Sequence, residues 1–207
     1  MKRLVVILSM LAMIGLSSVY GQKASDFRAD AESDNKEAQY NLGFCYGKGL
    51  GVTKDHTQAV YWYRKAAEQG FAMAQYNLGF CYQYGEGITK DLTQAVYWYR
   101  KAADQGYAAA QYNLGGRYYN GNGVTKDLTQ AVYWYRKAAD QGYAAAQYFL
   151  GNYYFAGDNK DGNISLYWFE KAMKNEDNSL SEMQEILGEE CIRRLKEQDY
   201  SSSNAKP

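Results

Sequence analysis

The sequence predicts an all-α fold, an α-solenoid of about four tandem helix–turn–helix repeats. Three observations carry that expectation. The hexapeptide Ala38-Gln39-Tyr40-Asn41-Leu42-Gly43 returns in residues 74–79 and 110–115, then as Ala146-Gln147-Tyr148-Phe149-Leu150-Gly151, each step being 36 residues. Residues 89–112 are identical to residues 125–148, a match in register that chance does not produce. Each repeat also carries two runs of helical periodicity around a glycine-rich turn, and a single proline in 207 residues leaves such runs unbroken.

The elements follow in chain order. Residues 1–21 read as a cleavable signal peptide: Lys2 and Arg3 precede an apolar run over 4–16, broken only by Ser9 and Gly15. Val19 and Gly21 then fit the small-residue pattern for cleavage after Gly21. An apolar run of about 13 residues is short of the roughly 20 that a spanning helix needs; an uncleaved anchor stays open as the alternative. No later run is apolar enough to span, so the mature chain is expected without an integral membrane segment, periplasmic or secreted. Residues 22–35 are polar and expected as a flexible N-terminal segment. The solenoid is placed at 36–198, with repeats near 38–73, 74–109, 110–145 and 146–179 and a closing helix at 180–197. A flexible tail occupies 199–207.

Within a repeat, Ala38, Leu42, Cys45 and Tyr46 fall on one face of a first helix. Gly43, beside Leu42, lets a partner helix approach closely. Gly49 and Gly51 supply a turn needing positive φ, and recur as Gly85 and Gly87, then Gly121 and Gly123. Asp55 with Gln58 resembles a capping box for the second helix, repeated as Asp91 with Gln94 and Asp127 with Gln130. Ala59, Trp62, Tyr63, Ala66 and Ala67 form that helix's apolar face, and Gly70, Gly106 and Gly142 close it in successive copies. The fourth copy has a turn two residues shorter, 157–162, and the closing helix carries Leu187-Gly188 in the place of Leu42-Gly43.

The pattern Ala-x3-Leu-Gly-x2-Tyr-x2-Gly-x-Gly-Val-x2-Asp-x3-Ala-x2-Trp-Tyr-x-Lys-Ala-Ala-x2-Gly, read from Ala38 to Gly70, resembles the Sel1-like repeat. Residues 74–106 (with Ile88 for Val52) and 110–142 match it too; the fourth copy departs at the turn. The resemblance implies a right-handed superhelix related to tetratricopeptide repeats, with a concave groove lined by first helices. It also implies an adaptor or scaffold, often exported by bacteria, with no shared catalytic residues. On that groove a stripe of Tyr40, Phe44, Gly47 and Lys48 is expected, repeated as Tyr76, Phe80, Gln83 and Tyr84. Tyr112, Gly116, Tyr119 and Asn120 follow, then Tyr148, Asn152, Phe155 and Ala156. Aromatic side chains of this kind give large contact area at small entropic cost, and so suit an extended peptide or a partner helix. Packing between repeats is the alternative for the tyrosine ladder.

Other function classes find less support. Basic and acidic residues balance at 23 each, which gives no field for nucleic acid. No Ser-x-x-Lys motif accompanies Ser165, and the only histidine, His56, sits in a helix's first turn where later copies have Leu92 and Leu128. No enzyme activity, metal or cofactor is therefore expected. Asn159, Asp161, Asn163, Ser165 and Glu170 echo a calcium loop, but Ile164 stands where the sharp turn needs glycine. Cys45 and Cys81 are expected as small buried residues, since equivalent points on stacked helices lie about 8–10 Å apart and a disulfide needs about 7 Å or less. Cys191 aligns with Tyr46 and is expected in the core. The alternatives are a cell-wall protein binding peptidoglycan or β-lactams, some relatives of the family being linked to weak β-lactam hydrolysis, and a plain spacer.

Overall fold

The computed structural model describes residues 23–156, 160–174 and 182–203. The expected signal peptide and its cleavage point lie outside the described residues. Among these there are ten helices and no strand. They are α1 (Ala24–Glu32), α2 (Lys36–Lys48), α3 (His56–Glu68), α4 (Ala72–Tyr84), α5 (Leu92–Asp104), α6 (Ala108–Asn120), α7 (Leu128–Asp140), α8 (Ala144–Ala156), α9 (Gly162–Met173) and α10 (Glu182–Ser203). The chain divides into two compact units, Met1–Lys101 and Ala102–Pro207, the division falling within α5. In the first unit α1 packs on α2, α2 on α3 and α3 on α4; in the second, the helices from α6 to α10 pack each on the next. This is the all-α repeat solenoid that the periodicity predicts.

The local signals act as the sequence implies. Asp55 Oδ1 accepts from the backbone N–H groups of Thr57 and Gln58 at 2.9 and 3.0 Å, and Asp91 does the same for Thr93 and Gln94. These bonds satisfy donors that a helix N-terminus otherwise leaves unpaired. Gly49 ends α2 at φ 75°, and Gly85 and Gly121 repeat the left-handed cap. The turn then returns to the helix it left: Asp55 N donates to Tyr46 O at 2.9 Å, Asp91 N to Tyr82 O at 2.9 Å and Asp127 N to Tyr118 O at 3.0 Å. Asp161 N still finds Tyr154 O at 3.0 Å in the shortened fourth copy. Gly87 is required twice over, by its φ of 70° and because a Cβ there would collide with the His56 carbonyl oxygen.

Leu42, Leu78, Leu114 and Leu150 are fully buried, one per repeat. The glycine beside each takes the ring of the following helix. A Cβ at Gly43 would lie 2.8 Å from Tyr63, and one at Gly151 would lie 2.7 Å from Phe169.

Four expectations need correction. Residues 22–35 are not a flexible lead-in: Ala24–Glu32 forms helix α1, with Ala24 and Ala31 fully buried against Leu42, Cys45 and Trp62. The last helix runs to Ser203, past the expected end at 197 and into the expected tail. Leu187 does not repeat the burial of Leu42 but is 47% exposed, while Gly188 packs against Met173. Cys191 and Tyr46 are half-buried rather than core, the Tyr46 hydroxyl accepting from Arg28 Nη2 at 2.9 Å. Cys45 and Cys81 are buried and free.

Candidate functional site

The expected stripe is built on the first helix of each repeat, and its members divide by depth. The ladder tyrosines are half-buried. Tyr40 lies 5.9 Å (ring centroids) from Tyr63 and 5.3 Å from Phe71. Tyr76 lies 5.7 Å from Tyr99, Tyr112 5.4 Å from Tyr135, and Tyr148 5.7 Å from Phe169. Each ring thus lines its face and also holds its repeat together. Burial raises the Tyr40 and Tyr112 hydroxyls above the usual phenol range.

Of the outer members, Tyr84 and Tyr119 stand further into solvent, while Phe44, Phe80, Asn152 and Phe155 are half-buried. Tyr84 is 58% exposed, with Phe80 against it at 4.5 Å. Lys48 Nζ lies 6.0 Å from the Phe44 ring. In the second unit Tyr119 is 42% exposed and meets Phe149 edge-on at 5.2 Å. Phe155 is half-buried, 6.4 Å from Phe169. Asn152 turns its amide onto its own helix, donating to Tyr148 O at 3.2 Å.

Within the first unit this surface opens into a cavity of about 460 Å³ between α2, α3 and α4. Phe44, Phe80 and Tyr76 of the expected stripe line it, with Gly47 and Lys48. Ala59, Tyr63 and Cys81 form its inner wall, and Lys54, His56 and Glu86 complete the rim. Tyr40 and Tyr84 are not among its lining residues. His56 Nδ1 and Glu86 Oε2 are 3.6 Å apart, so the histidine joins the start of α3 to the next repeat's turn. The Asn77 amide beside Tyr40 and Tyr63 offsets part of the rise that burial imposes on both hydroxyls. Burial first, then Glu86, pushes the Cys81 thiol up to about 12, which leaves it protonated and a poor nucleophile at neutral pH. The wall offers aromatic surface and the rim offers charge, a combination suited to holding a segment.

Of the calcium-like residues, Asp161, Ser165 and Glu170 have other partners, Glu170 facing Lys174 and Lys196. Asp161 Oδ1 caps α9 by accepting from Ile164 N at 2.9 Å, and Ser165 is fully buried, its hydroxyl donating to Gly151 O at 2.9 Å.

Two features escape the sequence reading. Gln39, Gln75, Gln111 and Gln147 are buried; their 36-residue recurrence is visible but names no partner. Tyr61 and Tyr97 stand out from the second helices at 49% exposure each, with Lys65 and Lys101 over their rings at 5.4 and 5.2 Å. A Tyr-Trp-Tyr-Arg-Lys run on an amphipathic helix is the signal for these.

The Sel1 repeat model matches residues 36–71, 72–107, 108–143 and 144–177. Among solved structures, the chain is similar to a protective antigen of uropathogenic Escherichia coli with an SLR fold. The two are 44% identical over 73% of this chain and 33% of that one, with a TM-score of 0.70. It is also similar to a Sel1 repeat protein of Oxalobacter formigenes: 36% identity, 82% of this chain, 65% of that one and a TM-score of 0.70. The chain thus spans about a third of the first protein's length and just under two thirds of the second's. An immunity protein of Pseudomonas aeruginosa, 21% identical over 83% of this chain and 73% of its own with a TM-score of 0.50, shares the fold. No curated protein matches the chain.

Proposed function

The chain belongs to the Sel1 repeat family, whose members are generally protein-interaction scaffolds, and from that premise we propose that it is an exported, non-enzymatic adaptor. It holds a protein or an extended peptide against the face built by its first helices. The observation that carries this reading is the open, aromatic-walled cavity between α2 and α4, continued outward by the Phe80–Tyr84 pair. Aromatic groups at a surface hollow are what recognition sites use to gain contact area at low entropic cost. Export rests on the charged, apolar and small-residue regions of 1–21, and places the mature chain in the periplasm or outside the cell.

The test is capture from an envelope fraction, with a Phe80→Ser/Tyr84→Ser variant beside the parent. Tyr76 and Tyr112 are poorer choices, because both support core rings. One protein held by the parent and lost by the variant, with helical circular dichroism unchanged, is the expected result. The intact mass of the captured adaptor reads whether it begins at Gln22. Equal capture by both proteins would remove the binding face.

A second reading, a cell-wall glycan binder, is favoured by the exposed ring–lysine pairs at Tyr61 and Tyr97. It predicts retention on purified peptidoglycan that Tyr61→Ser/Tyr97→Ser abolishes.

A further inference from the structure

We propose that the hollow at Gly47 is a specificity subsite for a bound peptide, taking one bulky apolar side chain together with a carboxylate next to it in sequence. The inference rests on the peptide-binding reading above and deepens it.

The same position of the first helix is occupied by Gly47, Gln83, Tyr119 and Phe155 in successive repeats. In the later copies a side chain covers the repeat's inner ring or its neighbour. Gln83 Oε1 accepts from the Tyr99 hydroxyl at 2.8 Å, Tyr119 packs on Phe149 and Phe155 on Phe169. Gly47 provides no such cover. A Cβ built there would meet only the Tyr63 hydroxyl oxygen at 3.6 Å and Ala59 Cβ at 3.7 Å, ordinary contact distances. Unlike Gly43 or Gly87, this glycine is not required by any close approach or positive φ. Its consequence is space.

That space is the cavity of about 460 Å³. It falls within the range of about 300–1,000 Å³ in which proteins enclose small ligands, and holds a large side chain with adjoining backbone. Phe44 and Phe80 give it apolar walls.

The rim sets the charge. Lys48 and Lys54 both reach it, and among the described residues neither pairs with a carboxylate. Glu86, the rim's acidic group, faces His56. Two ammonium groups above an apolar hollow complement an aromatic or leucine side chain followed by aspartate or glutamate. A sugar would need several polar partners, whereas Phe44, Phe80, Tyr63 and Tyr76 wall this hollow with aromatic rings.

The experiment pans a displayed random heptapeptide library on the full chain, then titrates the best synthetic peptide into three proteins. These are the parent, Gly47→Tyr and Lys48→Ala/Lys54→Ala. Gly47→Tyr installs what repeat three already has and replaces a helical glycine by a better helix former, so its melting temperature should hold or rise. Enriched peptides should carry Phe, Tyr or Leu beside Asp or Glu. Gly47→Tyr should weaken the best of them by at least about tenfold, and the lysine variant by roughly three- to tenfold at low salt, less at high salt. The acid-to-amide peptide should bind both lysine forms equally. Peptides lacking the pair, or an affinity that neither variant moves, would overturn the subsite and leave peptide binding itself standing. A library with no enriched peptide, alongside retention on peptidoglycan, would overturn both readings.

Discussion

Gln111 shows how much one buried side chain does in this chain. Its Nε2 donates to Ala103 O at 3.1 Å, and its Oε1 accepts from Gln141 Nε2 at 2.7 Å. Ala103 lies in the last turn of α5, where carbonyls lack an intrahelical donor. That carbonyl accepts from Gly106 N at 3.0 Å beyond the helix end, and the amide adds a second donor that ties a first helix to the second helix before it. Gln39, Gln75 and Gln147 repeat the bond to Ala31, Ala67 and Ala139 at 3.2, 3.0 and 2.9 Å. Gln111→Leu keeps the volume but removes the second hydrogen bond of the Ala103 carbonyl and the bond across to Gln141. It is expected to cost about 0.5–1.5 kcal/mol, read as a lower urea midpoint with an unchanged m value.

At the scale of the element, α1 is half a repeat. Adding 36 to its numbers turns Arg28 into Arg64, Ala31 into Ala67 and Asp34 into Gly70. The contacts follow the same arithmetic. Arg28 Nη2 donates to the Tyr46 hydroxyl at 2.9 Å and Arg64 Nη2 to the Tyr82 hydroxyl at 3.1 Å. Asp34 even adopts the positive φ, 71°, that Gly70 has at 84°. The helix thus caps the solenoid, covering apolar surface that a first repeat would otherwise expose. Deleting residues 22–35 removes two partners of the buried Gln39 amide, Ala31 O and Asp34 Oδ1. It also uncovers Leu42, Cys45 and Trp62. Such a truncation should lower the melting temperature by about 5–10 °C in differential scanning fluorimetry; an unchanged melt would deny α1 this capping role.

Across the whole molecule, stability depends on phenols kept out of water. Tyr63 and Tyr135 are held far above the usual phenol range, by burial first and by nearby titratable groups second. Tyr40 and Tyr112 are raised by burial too. A group whose folded value is raised above its unfolded one favours the folded state fully below the unfolded value, near 10, and loses that contribution as pH climbs through the folded value. The chain should therefore hold its melting temperature from pH 7 to about 9.5 and lose it steadily above about 10. Tyrosine ionisation at 295 nm should lag the free phenol until the helices melt. Tyr63→Phe would flatten part of the alkaline fall in the first unit; a melt unaffected at pH 11 would mean these hydroxyls reach solvent.

The sequence by itself determined the class of fold, the repeat length, the helix caps and the left-handed turns. Those are local matters: Asp55 reaches only to Thr57 and Gln58, and Gly49 answers only to its own φ. It also named Phe44, Tyr76 and Phe80, since a stripe on one helix needs only that helix's period. What the tertiary structure decided depends on neighbours that no periodicity identifies. The polarity of Ala24–Glu32 hid a helix whose two fully buried alanines matter only because α2 lies against them. The buried glutamines found their carbonyls on the preceding helix. Gly47 was one more glycine in the sequence; it opens a cavity because Phe44, Tyr63 and Phe80 wall the place that Gln83, Tyr119 and Phe155 occupy in the other repeats, and an absent side chain acquires meaning only from the walls around it.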